Sequence, residues 1–108
     1  MTTGDLTGIA GTDRADGATL RLVALVDLGA DPEAGRRYED AVLALLGRHG
    51  GRLERRLRTG DGRTEVHVIG FATRAGYDGF MADPDRAALR AELGDRAPTT
   101  RVLEVHDV

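Results

Sequence analysis

Four ionisable side chains, Glu54, Arg56, Glu65 and His67, are the residues of this chain whose types and spacing could do chemistry. Histidine moves protons near neutral pH, a facing carboxylate fixes its tautomer and raises its basicity, and an arginine can hold a carboxylate or enolate. The set suits proton abstraction beside a carbonyl, hence aldol-type cyclisation or isomerisation, with His67 as base and Glu54 or Arg56 in support. Whether the four meet depends on a hairpin. Arg52 to Arg58 alternates, Thr59-Gly60-Asp61-Gly62 is a turn signal, and Arg63 to Phe71 returns. A two-residue turn at Asp61-Gly62 sets Arg56 opposite His67 and Arg58 opposite Glu65. A four-residue loop sets Glu54 opposite His67 and Arg56 opposite Glu65. Either register predicts all four on one face, and a bulged three-residue loop would break that parity. The plain alternative is a set of cross-strand charge pairs on a wet hairpin end, worth roughly a few tenths of a kcal/mol each.

The candidate substrate-binding residues are Tyr77, Glu65 and Ile69. Ile69 and Phe71 fall on the same side of the strand as His67. Tyr77 could donate to an oxyanion, although its helical spacing with Phe80 and Met81 equally describes a core position, and Tyr38 reads the same way. His49 ends a helix, where a basic residue is favourable to the dipole. His106 shares an alternation with Val102 and Glu104 near the chain end, within reach of a partner subunit or in solvent. The three histidines, at 49, 67 and 106, show no i, i+2 or i, i+4 pairing, so no metal site is expected. Gly60-Asp61-Gly62 sits in a hairpin and opens no helix, which leaves no phosphate loop, and no cofactor is expected.

Composition narrows the chemistry further. The 108 residues include no Cys, Ser, Lys, Trp, Asn or Gln, and all 15 basic residues are Arg. Ser and Cys nucleophiles, Schiff-base lysines and thiolate metal sites are excluded within this chain. The Arg-for-Lys, Ala-rich and Gly-rich usage resembles the coding bias of a GC-rich bacterial genome. A net charge of −3 argues against a general attraction to nucleic acid. No apolar run approaches the roughly 20 residues that span a bilayer, and the N-terminus lacks a basic segment leading into a hydrophobic one. A cytoplasmic protein with no nucleic-acid or membrane partner is expected.

The elements that must position these residues follow from local signals. Residues 1–18, rich in Gly, Thr and Asp, read as a flexible arm, and residues 19–108 as one domain. Leu20 to Leu28 is apolar on both faces except for Arg21 and Asp27, which predicts a strand buried on both sides. Asp31-Pro32-Glu33 supplies an N-cap, a first-turn proline and an acid at the positive end of a helix. Tyr38, Ala41, Val42, Leu45 and Leu46 form its apolar stripe, and Gly50-Gly51 ends it. Thr73 predicts a second helix, weakened by Gly76 and Gly79 at about 1 kcal/mol each and so in need of tertiary support. Asp83-Pro84-Asp85 restarts helix through Leu89 and Leu93 to Gly94. Pro98 stops it, and Arg101 to Val108 predicts a last strand.

The order βαββαβ with a central hairpin predicts an α+β, ferredoxin-like sandwich with both helices on one face of the sheet. The other face, read as the one carrying His67, Ile69 and Phe71, would leave a large apolar patch in water, and the same face of a second copy would cover it. Asp31-Pro32-Glu33, Leu46 through His49-Gly50-Gly51-Arg52, and Phe71 followed by Phe80-Met81-Ala82-Asp83-Pro84-Asp85-Arg86-Ala87-Ala88-Leu89 resemble the DUF1330 group of the dimeric α+β barrel superfamily. The resemblance covers roughly residues 20 to 108. It implies a homodimer whose paired sheets form a barrel with an internal pocket for small organic molecules. The ionisable residues among apolar strand faces make a small, largely apolar carbonyl or polyketide-like compound the candidate. The superfamily includes monooxygenases, polyketide cyclases, haem-degrading enzymes and lactone isomerases. The monooxygenase and haem-degrading branches look to Asn and Trp, which this chain lacks. Two functions stay open: a cofactor-independent enzyme of proton transfer, cyclisation or isomerisation, and a non-catalytic small-molecule-binding or dimeric interaction module.

Overall fold

The computed structural model describes residues 20–108, and the arm expected over residues 1–18 lies outside them. The doubly apolar run becomes β1, Leu20–Asp27, with Leu20, Leu22, Ala24 and Val26 buried beneath helices and Arg21, Val23 and Leu25 half-buried on the opposite face. Three further strands join it: β2, Gly51–Arg58; β3, Thr64–Phe71; and β4, Thr99–Val105. They form one antiparallel sheet in the order β2-β3-β1-β4. With helices between β1 and β2 and between β3 and β4, this is the ferredoxin-like α+β fold that the element order predicts. The last strand starts two residues and ends three residues earlier than expected, and His106 is exposed just beyond its end.

Helix α1, Pro32–Leu43, starts where the Asp-Pro-Glu signal places it, and the Asp31 carboxylate accepts the Ala34 N–H at 3.1 Å. Its α-helical bonding stops at Leu43, six residues short of His49. The chain tightens into a 3₁₀ turn, Leu46–His49, which Gly50 closes at φ 69°. The tighter winding leaves Leu45 and Leu46 both in the core with Val42.

The second helical arm has two pieces. Helix α2, Arg74–Met81, is capped by Thr73, and α3, Pro84–Leu93, by Asp83, whose carboxylate accepts the Asp85 N–H at 2.9 Å. The tertiary support that α2 needs comes from the 3₁₀ turn. A Cβ at Gly76 would lie 2.2 Å from the His49 carbonyl oxygen, and one at Gly79 would lie 3.0 Å from His49 Nδ1. His49 does more than sit favourably at a helix end: its Nε2 is 2.8 Å from Asp83 Oδ2, which ties the turn to the α2–α3 junction. Between helices and sheet lies a core of Leu20, Leu22, Tyr38, Val42, Ile69, Phe71 and Phe80 with the two leucines. The Phe71 ring stands 5.5 Å from Tyr77 and 5.7 Å from Phe80.

Candidate functional site

The hairpin adopts the first of the two anticipated registers, with Arg56 opposite His67 and Arg58 opposite Glu65. Pairing then shifts between Leu53 and Arg55, so that Glu54 is the extra residue of a bulge. The bulge breaks the alternation. Arg56, Arg58, Glu65 and His67 face the helices, whereas Glu54 turns to the opposite face of the sheet, where it takes Arg21 Nε at 3.0 Å. Glu54 therefore does not join His67. A second expectation is also corrected. His67, Ile69 and Phe71 lie opposite Ala24, Leu22 and Leu20 of β1, on the face that α1 covers, and not on the face left open for a second copy. Val66 and Val68 make the other face of β3 apolar too, so burial pattern alone did not distinguish the two.

At the centre of the buried face is Glu65, whose side chain is 0% exposed. Arg56 donates to it through Nε at 2.8 Å and Nη2 at 3.2 Å, and Arg58 through Nε at 2.8 Å. His67 Nε2 lies 2.7 Å from Glu65 Oε1. Burial would push the Glu65 carboxyl up, but the hydrogen bonds from Arg56, His67 and Arg58 outweigh it and bring it down to about 2. An ionised carboxylate only accepts, so Nε2 carries the hydrogen that faces Glu65, and in the neutral imidazole Nδ1 keeps its lone pair. Nδ1 lies 3.9 Å from Oε1 of Glu39, a buried acid on α1. Burial and then the neighbouring Glu65 charge raise the Glu39 carboxyl to about 7, against the pull of Arg56, Arg86 and Arg90. Two carboxyl groups flank one imidazole, and their environments hold one ionised and poise the other near neutrality. On the far side, Arg56 Nη1 reaches Asp40 at 2.6 Å, which fixes the guanidinium from both ends.

His67 and Glu39 line a cavity of about 260 Å³ between sheet and helices. Leu22, Ala24, Ile69 and Phe71 form its sheet side, Tyr38 and Val42 of α1 its roof, and Tyr77 and Phe80 of α2 one end. Arg86 and Arg90 of α3 add positive charge. Met81 and Val102 also line it and are exposed, which puts the mouth between α2 and β4, while His67 is only 2% exposed at the inner end. Of the residues singled out from sequence, His67, Ile69 and Tyr77 line the cavity, and Glu65 and Arg56 stand behind His67. Sequence reasoning missed Glu39, Arg86 and Arg90. Glu39 sits beside Tyr38 and three residues before Val42, inside the apolar stripe of α1, and an acid at such a position was the available signal. No group of three or more His, Asp or Glu side chains among the described residues is placed to hold a metal ion. No helix among them is long and apolar enough to cross a membrane.

Fold and site define a ferredoxin-like α+β protein with an ionisable, largely apolar cavity between its layers. Solved structures share that architecture. A Nitrosomonas europaea protein, provisionally described as an antibiotic biosynthesis monooxygenase, is 13% identical at a TM-score of 0.65, over 84% of this chain and 92% of that one. Rv0793 from Mycobacterium tuberculosis is 20% identical at a TM-score of 0.59, over 82% of this chain and 97% of that one. A dimeric ferredoxin-like protein from an uncultured marine organism is 12% identical at a TM-score of 0.51, over 85% and 92%. At these identities the likeness is one of fold. No family model matches the chain, and no curated protein matches it in sequence.

Proposed function

We propose that the protein is a cofactor-independent enzyme that moves a proton on a small, largely apolar carbonyl compound held between sheet and helices. His67 is the base. Its Nδ1 takes a proton from the carbon beside the carbonyl, the C–H electron pair becomes the enolate double bond, and the carbonyl π pair moves onto oxygen. The Tyr77 hydroxyl donates to that oxygen. Glu39 receives the proton from Nδ1 across the 3.9 Å gap, directly after a small movement or through one water, and returns it to a different carbon. The product is an isomer, or an enolate ready for intramolecular aldol closure, and the step needs no oxidant or reductant. The observation that carries this reading is a buried histidine with its Nε2 fixed by an ionised carboxylate and its free nitrogen facing a second carboxyl poised near neutrality.

Oxidative chemistry, named in the description of the Nitrosomonas protein, is not part of this proposal, since the chain has neither the Asn nor the Trp that the monooxygenase branch uses. We also propose a homodimer formed through the sheet face away from the helices. There Val23, Leu25, Val66 and Val68 are half-buried, and Leu57 and Leu103 are 45% and 36% exposed. The marine neighbour's description as dimeric supports dimerisation, and the apolar side chains above point to the face. Membership of the DUF1330 group within the dimeric α+β barrels belongs to the same proposal and rests on the capping and packing motifs quoted above.

The test is deuterium exchange in D₂O on a panel of small 1,3-dicarbonyl and aromatic polyketide-type compounds, read by mass spectrometry. Exchange is expected with the unaltered protein and at the uncatalysed rate with His67→Ala. If no compound exchanges faster than in buffer, or if His67→Ala exchanges as fast as the unaltered protein, the catalytic reading is wrong. Binding without exchange would make the protein a ligand-binding module.

A further inference from the structure

We propose that the ligand of this cavity is a monocarboxylate, and that Arg86 is the residue that reads its anionic group. This rests on the cavity being the functional site and names the class of compound it takes.

Arg86 is the observation that the proton-transfer network does not use. Its Nε is buried and has no hydrogen-bond partner among the described residues. A buried donor left unpaired is costly, and native proteins keep few of them. The guanidinium lies over the Phe80 ring, with Cζ 5.4 Å from the ring centroid, and it lines the cavity. Arg90, one helical turn further along α3, lines it too and donates one N–H to the Pro98 carbonyl at 3.1 Å. Against these two cations the lining among the described residues offers one acid, Glu39, whose ionisation burial opposes. Glu65 is satisfied by Arg56, Arg58 and His67 and faces away from this need. The cavity thus keeps a net positive charge whether or not Glu39 is ionised, together with an unused N–H.

A carboxylate supplies the missing partner, because its two oxygens match the fork of a guanidinium. The volume of about 260 Å³ lies just below the range of drug-sized ligand cavities and limits the occupant to one small compound. With its carboxylate on Arg86 of α3 and its apolar body along Ile69 and Phe71, a keto acid would extend across the cavity toward His67. Arg86 is a binding residue in this scheme, and it fixes which carbon is presented to the base.

The test uses benzoate and its neutral isostere benzamide as probes, with affinity read by NMR titration that includes the Arg86 Nε–H resonance. Benzoate is expected to bind at least tenfold more tightly than benzamide and to shift the Nε–H signal. Arg86→Gln is expected to abolish that preference and leave benzamide binding unchanged. Arg86→Lys, which keeps the charge and loses the fork, should fall between them. Equal binding of the two probes, failure of both to bind, or an anion preference that survives Arg86→Gln overturns the inference. His67→Ala separates the two readings: it should retain the benzoate preference while losing deuterium exchange. Exchange on neutral carbonyl compounds without any anion preference would sink this inference and leave the proton-transfer reading standing.

Discussion

Replacing Glu39 by Gln should make the protein more stable at alkaline pH and leave it nearly unchanged at acid pH. The Glu39 side chain is 8% exposed, so its charge is screened little by solvent. The fold raises its carboxyl from 4.5 to about 7. A carboxyl whose folded value lies above its unfolded value favours folding while it is protonated. That contribution is complete below pH 4.5 and is lost as pH rises through 7. At about 1.36 kcal/mol per pH unit, the loss is about 3 kcal/mol. Glutamine has nearly the same shape and no charge to lose. The assay is urea unfolding of both proteins at several pH values between 4.5 and 8.5, taking the difference so that groups common to both cancel. The difference should be near zero at the acid end and reach about 3 kcal/mol in favour of Glu39→Gln at the alkaline end. Parallel profiles would refute the argument, because they would mean that Glu39 ionises in the folded protein as readily as in the unfolded chain. Such a gain at a residue placed in the site would also fit a functional group held at a cost in stability.

Glu65 has the opposite sign. Its carboxyl is depressed from 4.5 to about 2, so its contribution is present above pH 4.5 and lost as pH falls through 2. Glu65→Gln should cost about 2–3 kcal/mol at pH 7, below the usual penalty for breaking a buried pair because Arg58 is partly hydrated and Arg56 keeps Asp40. In acid titrations followed by circular dichroism, its gap from the unaltered protein should close toward pH 2. Gly76→Ala improves helix propensity by about 1 kcal/mol, yet its Cβ meets the His49 carbonyl oxygen at 2.2 Å. A net loss of about 1–3 kcal/mol in thermal or urea unfolding is expected, and a stabilised variant would show that α2 does not rest on the 3₁₀ turn. Leu57→Asp with Leu103→Asp should convert the proposed dimer to a species near 11.5 kDa in light scattering. An unaltered protein already of that mass would remove the dimer from the proposal.

The capping signals at Asp31-Pro32 and Asp83-Pro84 were legible because a cap is a local event, decided by the next few backbone N–H groups. The register of β2 against β3 was legible as one of two choices set by the turn. The bulge at Glu54 was not, since no glycine or other local cue marks it and its partner Arg21 is 33 residues away. Nor was the orientation of His67. β3 carries apolar residues on both faces, and which face receives the helices is decided by α1, whose Gly35 lets its backbone approach Leu28 to a distance that a side chain would forbid. Glu39 was visible in the helical stripe, but an acid there only makes sense once an imidazole and three arginines are known to act on it.

The bulge that sends Glu54 away from the site also governs how the sheet can meet other sheets. Among the described residues β2 is the outermost strand on one side of the sheet, and such a rim can template another chain. A bulge in mid-strand bends and twists that rim, which makes it a poor template for a further strand. Strand-by-strand growth along this side is thereby disfavoured, while the half-buried apolar face of the sheet stays available for the proposed closed pairing.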